Sequence, residues 1–429
     1  MLIFDKHLEN YIDHSIKKQC DSEKTLKQKR IGCHFLFGST LADDLLVAHA
    51  ASCPLADAIT SGDAAADQQI DPEWVADYGV RANRLLPGGV RIVGLLMIAD
   101  KSFNNELRSF SRALNFIAKN SDALYAEVDS IKMAFVTVGS PLGVPKVVVF
   151  DAKRKSDGER PSKLSYNPLS WISVCSTAEF NLSVPLSPED ATKDFYSQFK
   201  ATLSRFSKKL FCDETCLIDG KPLLPDDCPI GKSSKKGQCT VELVVDGNDE
   251  CGEATITFAT QVEILVDLNI TAAVPSGSSA RTIVLAAKEH LLKTLYHRAE
   301  LHHESTEIIE DEGQDQLSIH QLPRVASVSI PTHPQIKVSE CLFEKDSIDD
   351  ARDSFRQLLL LDLEICDDEE RHLNEDDLAK FSTGMNNEIV GNAPPKTVDS
   401  SAMDPSLLVG AFAVVLLAIM LFLGFKFLV

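Results

Sequence analysis

Five cysteines, Cys212, Cys216, Cys228, Cys239 and Cys251, crowd one short span of the chain. Grouped thiolates are good zinc ligands, but a structural zinc site usually pairs its ligands at close spacing. Cys212 and Cys216 are separated by three residues, and no second close pair follows, so the reading is a set of reduced structural thiols. His290, His297, His302 and His303 fall on one predicted helix. No two of them stand four apart on one face, as a helical metal site requires, and they read as a solvated helix end. Gly88-Gly89-Val90 lacks the further glycines and the lysine of a phosphate-cradling loop. No Gly-x-Ser-x-Gly elbow occurs either. The expectation is a protein with no catalytic residues, no cofactor and no metal ligands, and hence not an enzyme.

The elements that would hold any site are legible in the hydrophobic pattern. Ile31–Gly38 and Asp44–Ala50 read as paired strands. Asp71-Pro72-Glu73 opens a helix, with Asp as the cap and Pro at the first helical position. Trp74, Tyr78, Ala82 and Leu85 form its apolar face, and Pro87-Gly88-Gly89 stops it. Val90–Ala99 is apolar enough to be a strand buried on both sides. Phe103, Leu107, Phe110, Leu114 and Ile117 repeat at helical spacing. Strands follow at Ile131–Val138, Lys146–Asp151 and around Trp171–Ser176. Ser187-Pro188-Glu189-Asp190 then opens a helix whose apolar face runs from Phe195 to Leu210.

Beyond Leu210, strands are expected at Thr240–Val245, Ala254–Thr260 and Gln261–Ala273, and a helix at Ala280–His303. Short strands at Val325–Ile330 and Gln335–Val338 precede an amphipathic helix bearing Ile348, Ala351, Phe355, Leu358 and Leu359. The pattern divides the chain into an α+β domain over residues 1–210 and a Cys-containing, β-rich region over 211–303 that ends in a helix. An acidic linker over 304–322, a short α+β segment over 323–383, a polar tether over 384–404 and a terminal span over 405–429 complete it.

The terminal span is the least ambiguous segment. Leu407 to Phe425 carries no charge, and thirteen of its nineteen residues are Leu, Ile, Phe or Val. Nineteen helical residues reach roughly 28 Å, close to a hydrocarbon core of about 30 Å. The side chains expected against lipid are Leu407, Leu408, Phe412, Val414, Leu416, Leu417, Ile419, Leu421, Phe422, Leu423 and Phe425. Met1–Gln19 contains Asp5, Glu9 and Asp13 and no apolar run of signal-peptide length. The expectation is a single-pass tail anchor with the large N-terminal part in the cytosol, where thiols stay reduced. The sequons at Asn181 and Asn269 would then carry no glycan. A strongly apolar helix followed by Lys426 suits the endoplasmic reticulum. A formal net charge of −20 argues against nucleic acid as a partner, because phosphate contacts need clustered Lys and Arg.

Trp74, the run Arg84-Leu85-Leu86-Pro87-Gly88-Gly89-Val90-Arg91-Ile92-Val93-Gly94, the strand pair beginning at Ile31 and the terminal anchor together resemble the odorant-response-abnormal protein four family. The resemblance implies a cytosol-facing protein of the endoplasmic reticulum membrane that assists folding and trafficking of seven-helix receptors, odorant receptors included. It also implies a partner: the peptidase specific for the ubiquitin-fold modifier. The N-terminal part more distantly resembles the MPN fold of the JAMM peptidases, whose active members place a His-x-His pair after a strand to bind zinc. The matching stretch here, Gly94 to Ser102, has no His, which implies a non-catalytic copy. The expected fold is therefore α+β: an MPN-like mixed sheet with flanking helices, a second smaller α+β region and one transmembrane helix. The expected role is a non-enzymatic adaptor, with a membrane-anchored hydrolase carrying an unrecognised site as the alternative.

Overall fold

The computed structural model describes residues 1–26, 31–54, 70–99, 107–121, 130–139, 143–154, 158–186, 195–212, 217–227, 237–243, 260–309, 320–321, 323–343, 346–361 and 388–390. The chain begins with β1 (Leu2–Asp5), α1 (Tyr11–Leu26), β2 (Gly32–Leu41), β3 (Asp44–Ser52), α2 (Pro72–Arg84), β4 (Arg91–Ala99) and α3 (Leu107–Ser121). It continues through β5 (Lys132–Gly139), β6 (Lys146–Asp151), β7 (Arg160–Ser162) and β8 (Leu164–Asn167). These strands form an eight-stranded mixed sheet in the order β7-β6-β5-β4-β2-β3-β1-β8. β4 runs parallel to β5, and β1 runs parallel to both β3 and β8.

Both faces of this sheet are covered, which explains the unbroken apolar run of β4. Ile92, Leu95 and Met97 point into one core with Phe35, Phe37, Tyr78, Phe110 and Leu114. Val93, Leu96 and Ile98 point into the other with Leu36, Val47, Ile12 and Ile16. The α2 start forms as its sequence predicts: the Asp71 side chain accepts from the Trp74 amide at 3.4 Å, and Pro72 stands at the first turn. The amphipathic N-terminal helix α1 and strand β1 are findings of the structure; nothing in the hydrophobic pattern of residues 1–26 singled them out.

The second half comprises β9 (Trp171–Leu186), α4 (Phe195–Cys212), β10 (Leu217–Ile218), β11 (Lys221–Pro222), β12 (Gln238–Glu242), β13 (Thr260–Pro275) and α5 (Ala280–Ile309). After it come β14 (His320–Gln321), β15 (Arg324–Ile330), β16 (His333–Leu342), α6 (Ile348–Leu359) and β17 (Glu388–Val390). A seven-stranded sheet, β11-β10-β12-β9-β13-β17-β14, is built on one long antiparallel ladder in which Trp171 faces Pro275 and Leu186 faces Thr260. The helices α4 and α5 cover it through Phe199, Leu203, Phe206, Ile283, Ala287 and Leu291.

Four boundaries differ from the sequence reading. Residues 171–212 belong to the second sheet, so the sheets part between Asn167 and Trp171 and not at 210. An alternating strand looks alike in either sheet, and only the ladder to β13 decides. The helix α5 runs to Ile309, through the start of the expected acidic linker. The segment expected to stand apart at 323–383 does not: Val328, Ile336, Val338, Phe355 and Leu359 complete the first core. Glu388–Val390, inside the expected tether, pairs with β13. The helix start at Ser187–Asp190, most of the strand expected at Ala254–Thr260, and the anchor residues Leu407 to Phe425 lie outside the described residues. Among the described residues no helix is long and apolar enough to cross a membrane.

Candidate functional site

The Leu-Pro-Gly-Gly turn after α2 is the point where both sheets and the C-terminal hairpin meet. The Leu85 carbonyl accepts from the Ser339 amide of β16 at 2.8 Å. The Leu86 carbonyl accepts from Lys293 Nζ of α5 at 2.9 Å. The Gly88 carbonyl accepts from the Ala273 amide of β13 at 2.9 Å, and the Gly89 amide donates to Glu289 Oε2 at 2.9 Å. Arg84 adds an ion pair to Glu300 at 3.0 Å. Glycine is required here for two reasons. A Cβ at Gly88 would stand 2.0 Å from the Ala286 carbonyl oxygen, and Gly89 has φ +80°, where its Cβ would meet Ala273 O at 2.4 Å. Arg84 to Gly89, part of the run that carries the family likeness, thus form the clasp between the two halves. Upstream, Trp74 Nε1 donates to Pro54 O at 2.9 Å, and the Trp74 ring packs 5.7 Å from Tyr78.

Beside the clasp lies a cavity of about 30 Å³, room for one or two waters. Arg84, His290, Lys293, His297, Arg298 and Cys341 contribute to its wall. Its lining is polar, and its charged members are cations. Arg298 is fully buried, and among the described residues none of its three guanidinium nitrogens makes a well-aligned hydrogen bond. The group set against it is the Cys341 thiol, and burial brings the guanidinium down to about 10. Burial also pushes the Cys341 thiol up to about 11, despite Arg298, so it stays protonated and is a poor nucleophile at neutral pH. His290 and His297 are both pushed down to about 3 by burial and by the neighbouring cations, and their imidazoles are neutral. Glu340, next to Cys341, is raised to about 7 by burial. A buried guanidinium without a carboxylate is costly, and the cavity favours water or an anion over a cation.

The sequence reading of the histidines needs correction. His290 is buried at the clasp, where the Gly88 amide approaches its Nδ1 at 3.4 Å. His297 lines the cavity, and His303 stacks on Tyr196 at 4.8 Å. The four do not form a solvated helix end, because α5 is the wall between the two halves and turns its polar stripe inward. Of the five grouped cysteines, Cys212 is exposed at the end of α4 and Cys239 is buried in β12; both are free thiols. Cys216, Cys228 and Cys251 lie outside the described residues. His34, in β2, pairs its Nδ1 with the Tyr11 hydroxyl at 3.0 Å, and His49 Nε2 donates to the Leu359 carbonyl at 2.7 Å. Arg298 and Cys341 escaped the sequence reading. A single Arg on an amphipathic helix carries the pattern of a solvated residue, and only its tertiary setting reveals it.

The family described as odorant response abnormal 4-like matches residues 35–370. Odorant response abnormal protein 4 of Caenorhabditis elegans is 32% identical over 383 residues, covering 85% of this chain and 79% of its own. The protein odr-4 homolog of Homo sapiens is 23% identical over 350 residues, covering 74% and 75%. Among solved structures, UfSP from C. elegans overlaps 85% of this chain and 57% of its own, at 12% identity and a TM-score of 0.37, too low a likeness to argue from. The family match takes in most of both sheets, the clasp and the C-terminal hairpin, and this chain belongs to the odorant response abnormal 4-like family.

Proposed function

We propose that the protein is a non-enzymatic adaptor of the endoplasmic reticulum membrane that supports folding and trafficking of seven-helix receptors of the odorant type. In this reading it also recruits the ubiquitin-fold-modifier-specific peptidase. The observation that carries the reading is the 32% identity, over 85% of the chain, to a relative named for its odorant response. The uncharged run Leu407–Phe425 supplies the membrane attachment, through lipid contact alone. The family likeness supplies the identity of the enzyme partner. The physical service of such an adaptor is effective concentration: confinement to a thin layer at the membrane raises encounter with membrane-bound substrates without new contacts to them.

The test is relocation. The full-length protein is given a mitochondrial tail anchor in place of Leu407–Phe425, and the peptidase is followed by imaging and by affinity capture. The peptidase is expected to move to mitochondria with it, and an unrelated anchor for the endoplasmic reticulum is expected to preserve its position. A peptidase that stays at the endoplasmic reticulum when this protein is moved or removed overturns the recruitment role. Receptor delivery to the cell surface, measured in the same cells, tests the trafficking role separately.

A further inference from the structure

Asp5, His7 and His333 meet where β1 ends and β16 begins, although His7 and His333 are 326 positions apart (333 − 7). One donor atom from each lies within 4.8 Å of the others. Asp5 Oδ1 stands 2.8 Å from His7 Nδ1, and Asp5 Oδ2 stands 3.4 Å from His333 Nε2. The carboxylate is held in place by backbone: the His7 amide donates to Oδ1 at 3.0 Å and the Leu169 amide to Oδ2 at 2.8 Å. His333 is the unexplained member. Its side chain is only 7% exposed, and among the described residues its Nε2 makes no hydrogen bond while facing the carboxylate. A buried imidazole nitrogen aimed at an anchored carboxylate, with a second imidazole alongside, is a donor set that lacks its acceptor.

We propose that Asp5, His7 and His333 bind a divalent first-row transition-metal ion. Two imidazoles and one carboxylate suit zinc and its neighbours and do not suit the hard ions magnesium and calcium, which take oxygen. Donors on bonds of about 2.0–2.1 Å in tetrahedral array stand roughly 3.3 Å apart. The Asp5 carboxylate already stands near that spacing from each imidazole, through Oδ1 to His7 at 2.8 Å and through Oδ2 to His333 at 3.4 Å. Rotation of His7, the exposed member, with a side chain 30% open to solvent, brings the three donors onto one ion. His333 stays fixed, because the Trp171 ring packs 6.2 Å from it and Trp171 itself is buried. The Leu169 and His7 amides orient the carboxylate as outer-shell partners do. Binding replaces the Asp5–His7 hydrogen bond and releases any proton shared there to solvent. The open side at His7 is the entry path and leaves the fourth position to water. The bound ion ties the N-terminal strand to the C-terminal hairpin. This site uses none of the residues of the clasp, and the adaptor reading stands or falls separately from it.

The experiment uses the full-length protein in detergent micelles, stripped with a chelator and then dialysed against zinc. About one zinc per chain is expected by elemental analysis, with a higher thermal midpoint than the stripped protein. His7→Ala, at an exposed position, and Asp5→Asn, which preserves the capping oxygen, are each expected to weaken zinc binding at least about tenfold. Cobalt in place of zinc is expected to give visible d–d absorption without the near-ultraviolet charge-transfer band of a thiolate ligand, which separates this site from the cysteine-rich segment. Absence of zinc, zinc retained undiminished in His7→Ala, or a thiolate band in the cobalt spectrum overturns the proposal. Should Asp5→Asn unfold the N-terminal strand, His7→Ala alone decides.

Discussion

Replacing Gly88 by alanine strikes the joint between the two halves at its tightest point. The new methyl would lie 2.0 Å from the Ala286 carbonyl oxygen, where ordinary contact begins near 3.4 Å, so α5 must retreat by about 1.4 Å (3.4 − 2.0). The helix is not free to do so. Its first turn is held by the Ala280 amide on Asp227 O and the Arg281 amide on Pro225 O, and Lys288 Nζ binds Leu210 O at 2.7 Å. Forced overpacking costs about 1–3 kcal/mol. Stretching the Ala273–Gly88 and Lys293–Leu86 bonds forfeits about 1 kcal/mol each. The sum is about 3–5 kcal/mol, a large fraction of the stability of an ordinary domain. Gly277→Ala is the control: its φ of +93° imposes backbone strain, but no atom lies within 4 Å of the added methyl, and a cost of about 1–2 kcal/mol is expected. Urea unfolding of the full-length protein in micelles, followed by fluorescence of Trp171 near the joint, measures both. If Gly88→Ala is no less stable than Gly277→Ala, the clasp does not hold the halves together as argued.

Further outcomes follow from the buried ionisable groups and the proposed anchor. Arg298→Met keeps the volume and removes a buried charge that has no carboxylate partner among the described residues, so stability should be unchanged or rise by about 1–2 kcal/mol; a marked loss in a thermal melt would show that the guanidinium has a strong partner. Burial holds the folded-state values of His34 and His49 to about 4 and of His290 and His297 to about 3, against an ordinary 6.5. Below pH 6.5 the unfolded chain therefore binds protons that the folded chain refuses, and stability falls as pH drops. Glu340 runs the other way, because its folded value of about 7 exceeds 4.5 and it favours folding as pH drops from 7 to 4.5. The net effect of these five groups is about three protons (4 − 1) between pH 6 and 5, read as a steep fall in the urea midpoint. A midpoint that does not move over that range refutes the burial of the imidazoles. Deleting residues 405–429 should release the protein from carbonate-washed membranes, and retention would reveal another attachment.

What the sequence made legible followed from local physics. Asp71-Pro72 capped its helix, Phe110, Leu114 and Ile117 lined one, and the two-sided apolar run at Val90–Ala99 became a central strand. Each of these depends on neighbours within a few residues. What stayed hidden depends on distant chain. The strand Trp171–Leu186 joins the second sheet because β13 offers a matching ladder 74 to 104 positions later (260 − 186 and 275 − 171). The inward polar stripe of α5 cannot be told from a solvated one until the wall it faces is known. Asp5 and His7 look like an ordinary acidic and polar N-terminus without His333. The Leu-Pro-Gly-Gly run was legible as a helix stop, and its two glycines have that local use, but the close approach of α5 that forbids any side chain there is a tertiary fact.

The return of the C-terminal hairpin to the first core sets a timetable for biosynthesis. The His49 ring waits for the Leu359 carbonyl and the Tyr78 hydroxyl for that of Gln357, partners 310 and 279 positions later. At about 5–20 residues per second, a ribosome needs roughly 15–60 s to supply them. Throughout that interval the face bearing Phe35, Phe37 and Tyr78 lacks its last layer, and the nascent chain shows apolar surface to solvent. Premature termination anywhere before Leu361 leaves that face permanently open, so shortened products are candidates for chaperone retention and degradation and not for partial activity.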